Sequence, residues 1–93
     1  MSSVPPQKPA LPRRLSHVSS RRLRDTGVLV DLKTNHIFEL NDPAMRVWEL
    51  LAEASTVQTI AAQLVAEFAV DVATAERETT RIIEQLTSQG VVG

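Results

Sequence analysis

Residues 36–51, HIFELNDPAMRVWELL, contain the change of pattern that decides the fold. From His36 to Leu40, apolar and polar side chains alternate, which is typical of a strand with one buried face. Asp42-Pro43 then predicts a helix start, because Asp can cap free amides and proline needs no donor in the first turn. The apolar positions that follow recur at helical spacing and turn the only Trp inward: Ala44, Val47, Trp48 and Leu51.

Another strand is predicted just upstream, at Val28–Leu32 after Gly27, with Val28, Val30 and Leu32 on one face. The short polar link of residues 33–35 predicts a hairpin, in which Asn35 would adopt a positive φ. In the second strand of this hairpin, Phe38 and Leu40 would share the face opposite Ile37 and Glu39. Residues 13–24 are ambiguous, and their alternation allows a short edge strand whose arginines would discourage pairing with other chains.

Helices are predicted for the rest of the chain. The first should end near Glu53. Ser55-x-x-Gln58 has the spacing of a capping box and predicts a second helix, with an apolar stripe at Val57, Ile60, Ala61, Leu64 and Phe68. Asp71 is a candidate cap for a third helix, and Gly90 is a suitable stop. The stripe of this helix is Val72, Ala75, Thr79, Ile82, Ile83 and Leu86, and Val91 and Val92 can fold back onto the core.

This order of elements predicts an α+β domain, because the strands precede and are segregated from the helices. Three helices with a small sheet alongside resemble a winged helix-turn-helix with the wing placed first. Residues 1–12 hold four of the five prolines, so we predict a disordered tail there and a single domain over residues 13–93.

Composition excludes several classes of protein. The 93 residues include no cysteine, which rules out disulfides and thiolate zinc sites. No apolar run approaches the ~20 residues needed to span a bilayer, and the N-terminus has no apolar signal core. We therefore expect a cytoplasmic protein with no membrane partner.

No catalytic constellation is visible, so we expect neither an enzyme nor a cofactor. His17 and His36 lie in different predicted strands without acidic residues at metal-like or triad-like spacing. The glycines are isolated and form no phosphate-binding loop. Glu76 and Glu78 are close in sequence but point in different directions on a helix, so they are not a carboxylate pair.

The charges are distributed unevenly along the chain. Residues 1–24 hold six basic side chains and no acid, whereas the remainder holds four basic and eleven acidic ones. A DNA-binding winged helix that uses this Arg-rich arm is therefore an alternative function. The predicted third helix argues against it, because Arg77 and Arg81 are outnumbered by Glu76, Glu78 and Glu84 and would not attract a phosphate backbone.

The edge of the predicted sheet offers another kind of site. If the strand at residues 36–40 pairs on one side only, its other side presents unsatisfied amides and carbonyls. With the third helix beside that edge, an extended peptide could enter as an added strand, with its side chains in pockets between strand and helix. A homodimer could also form by pairing of such edges, so monomer and edge-paired dimer both stay open.

An ordered set of motifs resembles the PqqD-like family, whose fold is also known as the RiPP recognition element. The set covers roughly residues 13–92 and follows the strand-turn-strand with Phe38-x-Leu40-Asn41, Ala44-x-x-Val47-Trp48, Thr56-Val57-x-x-Ile60-Ala61, Glu78 and Leu86-x-x-x-Gly90-Val91-Val92. The hairpin is closer to stand-alone recognition proteins of lasso-peptide and related clusters. The chain departs from the family pattern at Asn35, where Gly is usual, and at Thr79 and Thr80, which replace apolar residues.

The resemblance implies a three-stranded antiparallel sheet followed by three helices, and no catalysis. It implies binding of the leader segment of a ribosomally made precursor peptide between the third strand and the third helix. The leader would then be presented to a radical SAM enzyme, a leader peptidase or a cyclase. The expected peptide-binding residues are His36, Ile37, Phe38, Glu39 and Leu40 on the strand and Ala75, Glu78, Thr79 and Ile82 on the helix. A third possibility is a structural subunit that only stabilises an enzyme.

Overall fold

A computed structural model describes residues 11–54 and 56–93. The elements follow the order β1 (Val18–Leu23), β2 (Thr26–Asp31), β3 (His36–Asn41), α1 (Asp42–Leu50), α2 (Val57–Phe68) and α3 (Val72–Ser88). The strands form one antiparallel sheet in the order β1-β2-β3, which confirms the predicted α+β fold. The predicted tail lies outside the described residues up to position 10. Its last two residues have no secondary structure, and Leu11 packs against the core.

The β2–β3 hairpin is closed by Asp31. Its carboxylate accepts hydrogen bonds from the amides of Lys33 and Thr34 at 2.9 and 3.2 Å, and its carbonyl accepts one from Asn35 at 2.7 Å. Burial alone would raise the pKa of Asp31, but these amides and the nearby His17 together hold it below its usual value. Asn35 has φ 60°, as predicted from its tolerance of the left-handed region.

The helices cover the face of β2 opposite to its β-branched residues. Leu29 is fully buried, whereas Val28 and Val30 are half-buried on the other face and Leu32 is 61% exposed in the turn. The physical reason is the close approach of α1 at Gly27, where even a Cβ atom would collide with the side chain of Met45. The face of β2 on which Gly27 lies is therefore the face that packs against the helices.

The helix starts differ from the predicted ones in two of three cases. α1 is capped by Asn41, whose side chain accepts from the Ala44 amide at 3.0 Å, so the prediction of Asp42 as cap was wrong by one residue. α2 is capped by Thr56 through the Thr59 amide at 3.1 Å rather than by the predicted box. Ser55, the first residue of that box, lies outside the described residues.

The third helix and the C-terminus agree with the sequence-based expectations. Asp71 caps α3 by accepting from the Thr74 amide at 2.7 Å, and Gly90 has φ 74°. The predicted stripes of α2 and α3 face the core with one exception, Val72, which is exposed. α1 ends at Leu50, slightly before the predicted Glu53.

The two ends of the domain are tied together over the core. Arg13 and Gly93 exchange two backbone hydrogen bonds of 2.9 Å, and Val91 and Val92 are buried as predicted. Trp48 is 1% exposed and lies under the guanidinium of Arg14, which is 5.3 Å from the ring centroid. The predicted core position of the tryptophan is therefore confirmed.

Part of the basic N-terminal segment is an internal structural element. Arg22 on β1 donates to Asp42 and Glu49 of α1 at 2.9 Å each. The hydrogen bond to Glu49 is the main reason that the pKa of Arg22 lies above its usual value and that of Glu49 below. These ion pairs hold β1 against α1.

Candidate functional site

Within the described chain, β3 pairs with β2 on one side only, and its other edge is open. The Leu32 amide donates a hydrogen bond of 2.8 Å to the His17 carbonyl. This bond determines, for each residue of β1 and β2, whether its N–H and C=O groups point towards the neighbouring strand or away from it. Because antiparallel strands alternate between bonded and non-bonded pairs, Val28 and Val30 direct their N–H and C=O groups towards β1. Asp31 and Leu29 direct theirs towards β3.

The register of the hairpin extends this alternation to β3. Asp31 is opposite His36 and Leu29 is opposite Phe38, so these residues of β3 use their backbone groups inside the sheet. The N–H and C=O groups of Ile37 and Glu39 therefore face the open edge. A ligand strand could bond to both residues without displacing any hydrogen bond of the sheet.

The sheet also has a second open edge, at β1. By the same alternation, the backbone groups of Ser20 and Arg22 point away from β2. The surroundings of the two edges differ, because β1 is held against α1 by Arg22 whereas β3 ends at Asn41, which lines an open cavity. Among the described residues, the β3 edge therefore has free backbone groups on a strand that ends at a cavity for ligand side chains.

The side chains of β3 lie as the alternation predicts. Leu40 is buried and Phe38 is half-buried against the core, while Ile37 is 67% exposed and Glu39 is exposed. The ring of His36 meets that of Phe38 edge-on at 6.2 Å. A strand added at this edge would thus meet Phe38 on the helix side and Ile37 on the outer side.

A cavity of about 160 Å³ opens where β3 ends. It lies between α2 and α3 on one side and Asn41 and Pro43, where β3 joins α1, on the other. Its apolar lining comes from Pro43, Leu64, Phe68, Val70, Ala75 and Ile82. Asn41, Thr74, Glu78 and Arg81 form the polar part of the lining, where Glu78 and Arg81 make an ion pair of 2.6 Å.

The structure brings three of the four expected α3 residues to this cavity. Ala75, Glu78 and Ile82 line it, but Thr79 does not. Thr79 is 0% exposed, and its hydroxyl has no hydrogen-bond partner among the described residues. It faces the core because it continues the buried stripe of α3, so its expected place on the groove wall is not what the geometry shows.

Sequence reasoning missed the contribution of α2 to the cavity. Leu64 and Phe68 were assigned only to the core stripe, and Val70 and Pro43 were given no role in binding. The apolar residues that continue past the end of α2, Phe68 and Val70, were the available signal. Neither residue is fully buried, which fits a wall that is open to a ligand.

The described residues show no metal cluster. Within residues 11–54 and 56–93, no group of three or more His, Cys, Asp or Glu side chains could hold an ion. Over the same ranges, every helix is too short or too polar to cross a membrane. The arrangement of the site is that of a binding edge with an adjoining apolar cavity.

Comparison with known proteins places the chain in a family. Residues 26–92 match the model of coenzyme PQQ synthesis protein D (PqqD), so the chain belongs to the PqqD family. The match begins at β2 and includes the candidate edge, the cavity and all three helices. No curated protein matches the sequence closely enough to count as a relative.

Two solved structures resemble this one over most of both chains. One is described as TbiB1 in complex with the TbiA(beta) leader peptide, with 29% identity, a TM-score of 0.77 and coverage of 86% of this chain and 93% of that chain. The other is described as lasso peptide synthetase B1 complexed with the leader peptide, with 24% identity, a TM-score of 0.79 and coverage of 90% and 99%. The second is similar in fold alone.

The burial of Thr79 generates a prediction about stability. Replacing Thr79 by Val keeps the shape of the side chain and removes a buried hydroxyl for which residues 11–54 and 56–93 provide no partner. We expect Thr79→Val to raise the free energy of unfolding by ~1–2 kcal/mol in urea titrations followed by circular dichroism. Thr80→Val, one residue along on the exposed face, should change it by less than ~0.5 kcal/mol. A loss of stability in Thr79→Val would show that the hydroxyl has a partner after all.

Proposed function

We propose that this protein is a non-catalytic recognition protein for a ribosomally synthesised precursor peptide. It binds the leader segment as an added β-strand on the open edge of β3 and presents the peptide to a modifying enzyme. The observation that carries the proposal is the free backbone of Ile37 and Glu39 on the open edge of β3, a strand whose last residue, Asn41, lines an apolar cavity. The similarity to TbiB1, described in complex with a leader peptide, supports it.

Backbone pairing supplies part of the affinity but little selectivity. Each hydrogen bond contributes a net ~0.5–1.5 kcal/mol, and the two residues offer up to four such bonds. A buried apolar side chain of the leader contributes ~1.5–3 kcal/mol, whereas ordering the leader costs ~2–5 kcal/mol. With two apolar anchors, binding is expected between micromolar and nanomolar. Selection among leaders must therefore come from the side-chain pockets.

The cavity defines the kind of side chain that would anchor the leader. Its volume of about 160 Å³ is close to the ~150 Å³ of an engineered protein cavity that binds benzene. A leucine- or phenylalanine-sized side chain therefore fits. Because a strand alternates, every second leader residue would lie on the helix side next to Phe38 and Leu40. Glu78 at the polar part of the lining is placed to meet a basic or polar group of the leader.

The partner that receives the leader is expected to be a maturation enzyme. A radical SAM enzyme, a leader peptidase and a cyclase remain the candidate classes, in the cytoplasm. DNA binding is disfavoured by the ion pairs that already neutralise Arg22 and by the acidic residues on α3. The site itself needs no metal or cofactor for binding a strand.

Proline substitutions at the two open edges test which one binds the leader. Ile37→Pro removes an N–H group that points out of the sheet, so the fold should survive while one ligand hydrogen bond is lost. Ser20→Pro removes an equivalent outward N–H at β1 and serves as the matched control. The probes are fluorescently labelled N-terminal segments of short peptides encoded beside the gene, followed by fluorescence anisotropy.

We expect saturable binding by the wild type and by Ser20→Pro, with at least ~tenfold weaker binding by Ile37→Pro. Circular dichroism spectra should show that both variants are folded. Unchanged affinity in a folded Ile37→Pro variant would contradict the assignment of the β3 edge. Phe38→Asp should also abolish binding, because it places a charge on the helix side of the edge.

Filling the cavity tests its role separately from the edge. Ala75→Leu projects an isobutyl group into the cavity, and Thr80→Leu adds the same group on the exposed face of α3. Ala75→Leu should weaken leader binding ~tenfold or more, while Thr80→Leu should leave it within ~twofold. The decisive result is the partial recovery of Ala75→Leu binding when the anchoring leader residue is shortened to Ala. Equal affinities for wild type and Ala75→Leu would exclude the cavity from the site.

A further inference from the structure

The sheet face opposite the helices, here called the outer face, has no cover among the described residues. Of the four large apolar side chains that are exposed in the described part of the chain, three lie on it: Leu23, Leu32 and Ile37. Val28 and Val30 lie between them along β2 and are half-buried. Such a concentration of exposed apolar side chains on one small face is typical of a protein-binding surface.

The outer face can bind the side chains of an ordered surface, but it cannot bind an added strand through backbone hydrogen bonds. The backbone groups of β2 are bonded to β1 on one side and β3 on the other. A peptide lying across this face would leave its own amides and carbonyls unpaired, which is costly. The occupant must therefore bring an ordered face of its own, such as a second sheet.

The charges on the outer face lie on either side of its apolar centre. Arg21 of β1 and Glu39 of β3 both pair in register with Val28. Two strand spacings separate them, about 10 Å, which is too far for an ion pair within the sheet. Neither forms an ion pair with another described residue. The face thus has a positive side, an apolar middle line and a negative side.

We propose that a second copy of this chain covers the outer face. A two-fold rotation about an axis along β2 exchanges the β1 side with the β3 side. Arg21 then faces the partner's Glu39, and by symmetry the contact occurs twice. Val28, Val30 and Leu32 lie along the axis and meet their own copies. Packed sheets lie ~10 Å apart, a gap that extended arginine and glutamate side chains can bridge.

This dimer would be weak and would keep the peptide site free. The contact on the outer face is three strands wide and three alternate residues long. Each partner would therefore bury only a few hundred Å², below the ~800 Å² per partner of a standard interface. Dissociation constants in the high-micromolar range are therefore expected. Because the contact uses the face of β3 and not its edge, the backbone groups of Ile37 and Glu39 stay open on opposite sides of the dimer. The dimer does not depend on the proposed leader binding.

Sedimentation velocity of the full chain from about 10 µM to about 1 mM tests the dimer over the expected range. Val30→Lys should abolish concentration-dependent association, whereas Thr80→Lys, with the same new charge on α3, should not. Arg21→Glu and Glu39→Arg should each weaken association ~tenfold, because each creates two like-charge contacts. The double variant Arg21→Glu/Glu39→Arg should restore it, an outcome that structural damage would not give.

Three outcomes would overturn the proposal. One is a wild-type monomer throughout the concentration range, which would leave the outer face for a different protein. Another is association that persists in Val30→Lys. The third is association that Ile37→Pro abolishes and Val30→Lys does not, since that pattern defines a dimer paired through the β3 edge. Thermal unfolding of each variant serves as the control that the chain is folded when its association is measured.

Discussion

The close approach of α1 to β2 at Gly27 determines how the rest of the domain is arranged. The side chain of Met45 occupies the position where any other residue would place its Cβ atom. α1 can therefore lie directly on the sheet, with Leu29 beneath it and Trp48 in the core. This contact decides which face of the sheet is buried. The opposite face, although richer in β-branched residues, is left uncovered.

The same packing leaves the β3 edge accessible. Asn41 ends β3 and caps α1 within one residue, so the chain turns away from the edge onto the helical layer. α3 packs on the other two helices, and the cavity lies between α2, α3 and the residues that join β3 to α1. An edge strand exposed in this way would normally be protected against aggregation. Here the strand that carries the open backbone groups ends at a cavity of side-chain size, and β-strand addition uses such a combination of free edge and side-chain pocket.

The order of elements could be predicted from the sequence because each carries a local signal. The alternation at residues 36–40, the helical spacing of Val47 and Trp48, and the cap at Asp71 depend on neighbouring residues only. The buried face of β2 could not be predicted in the same way, because it depends on contact between Gly27 and Met45, far apart in sequence. That Asn41 and not Asp42 caps α1 has a similar origin, since the Asp42 carboxylate pairs with Arg22 of β1.

The candidate site was predictable in part for the same reason. The strand residues followed from alternation and register, and Ala75, Glu78 and Ile82 from their helical spacing. Thr79 was assigned to the buried stripe and also to the groove wall, and its complete burial agrees with the first of these assignments. The walls supplied by Phe68 and Val70 depend on how α2 meets α3. The walls of the cavity thus depend on tertiary packing, whereas the strand with the open edge is predicted by local pattern alone.

The most direct test of peptide binding at β3 is amide hydrogen exchange measured by NMR, with and without a saturating leader peptide. The amides of Ile37 and Glu39 point out of the sheet, so they should exchange rapidly in the free protein and at least ~tenfold more slowly in the complex. The amides of Ser20 and Arg22 on the other open edge should not change. Protection at Ser20 and Arg22, or unaltered exchange at Ile37 and Glu39 in a saturated complex, would contradict strand addition at β3.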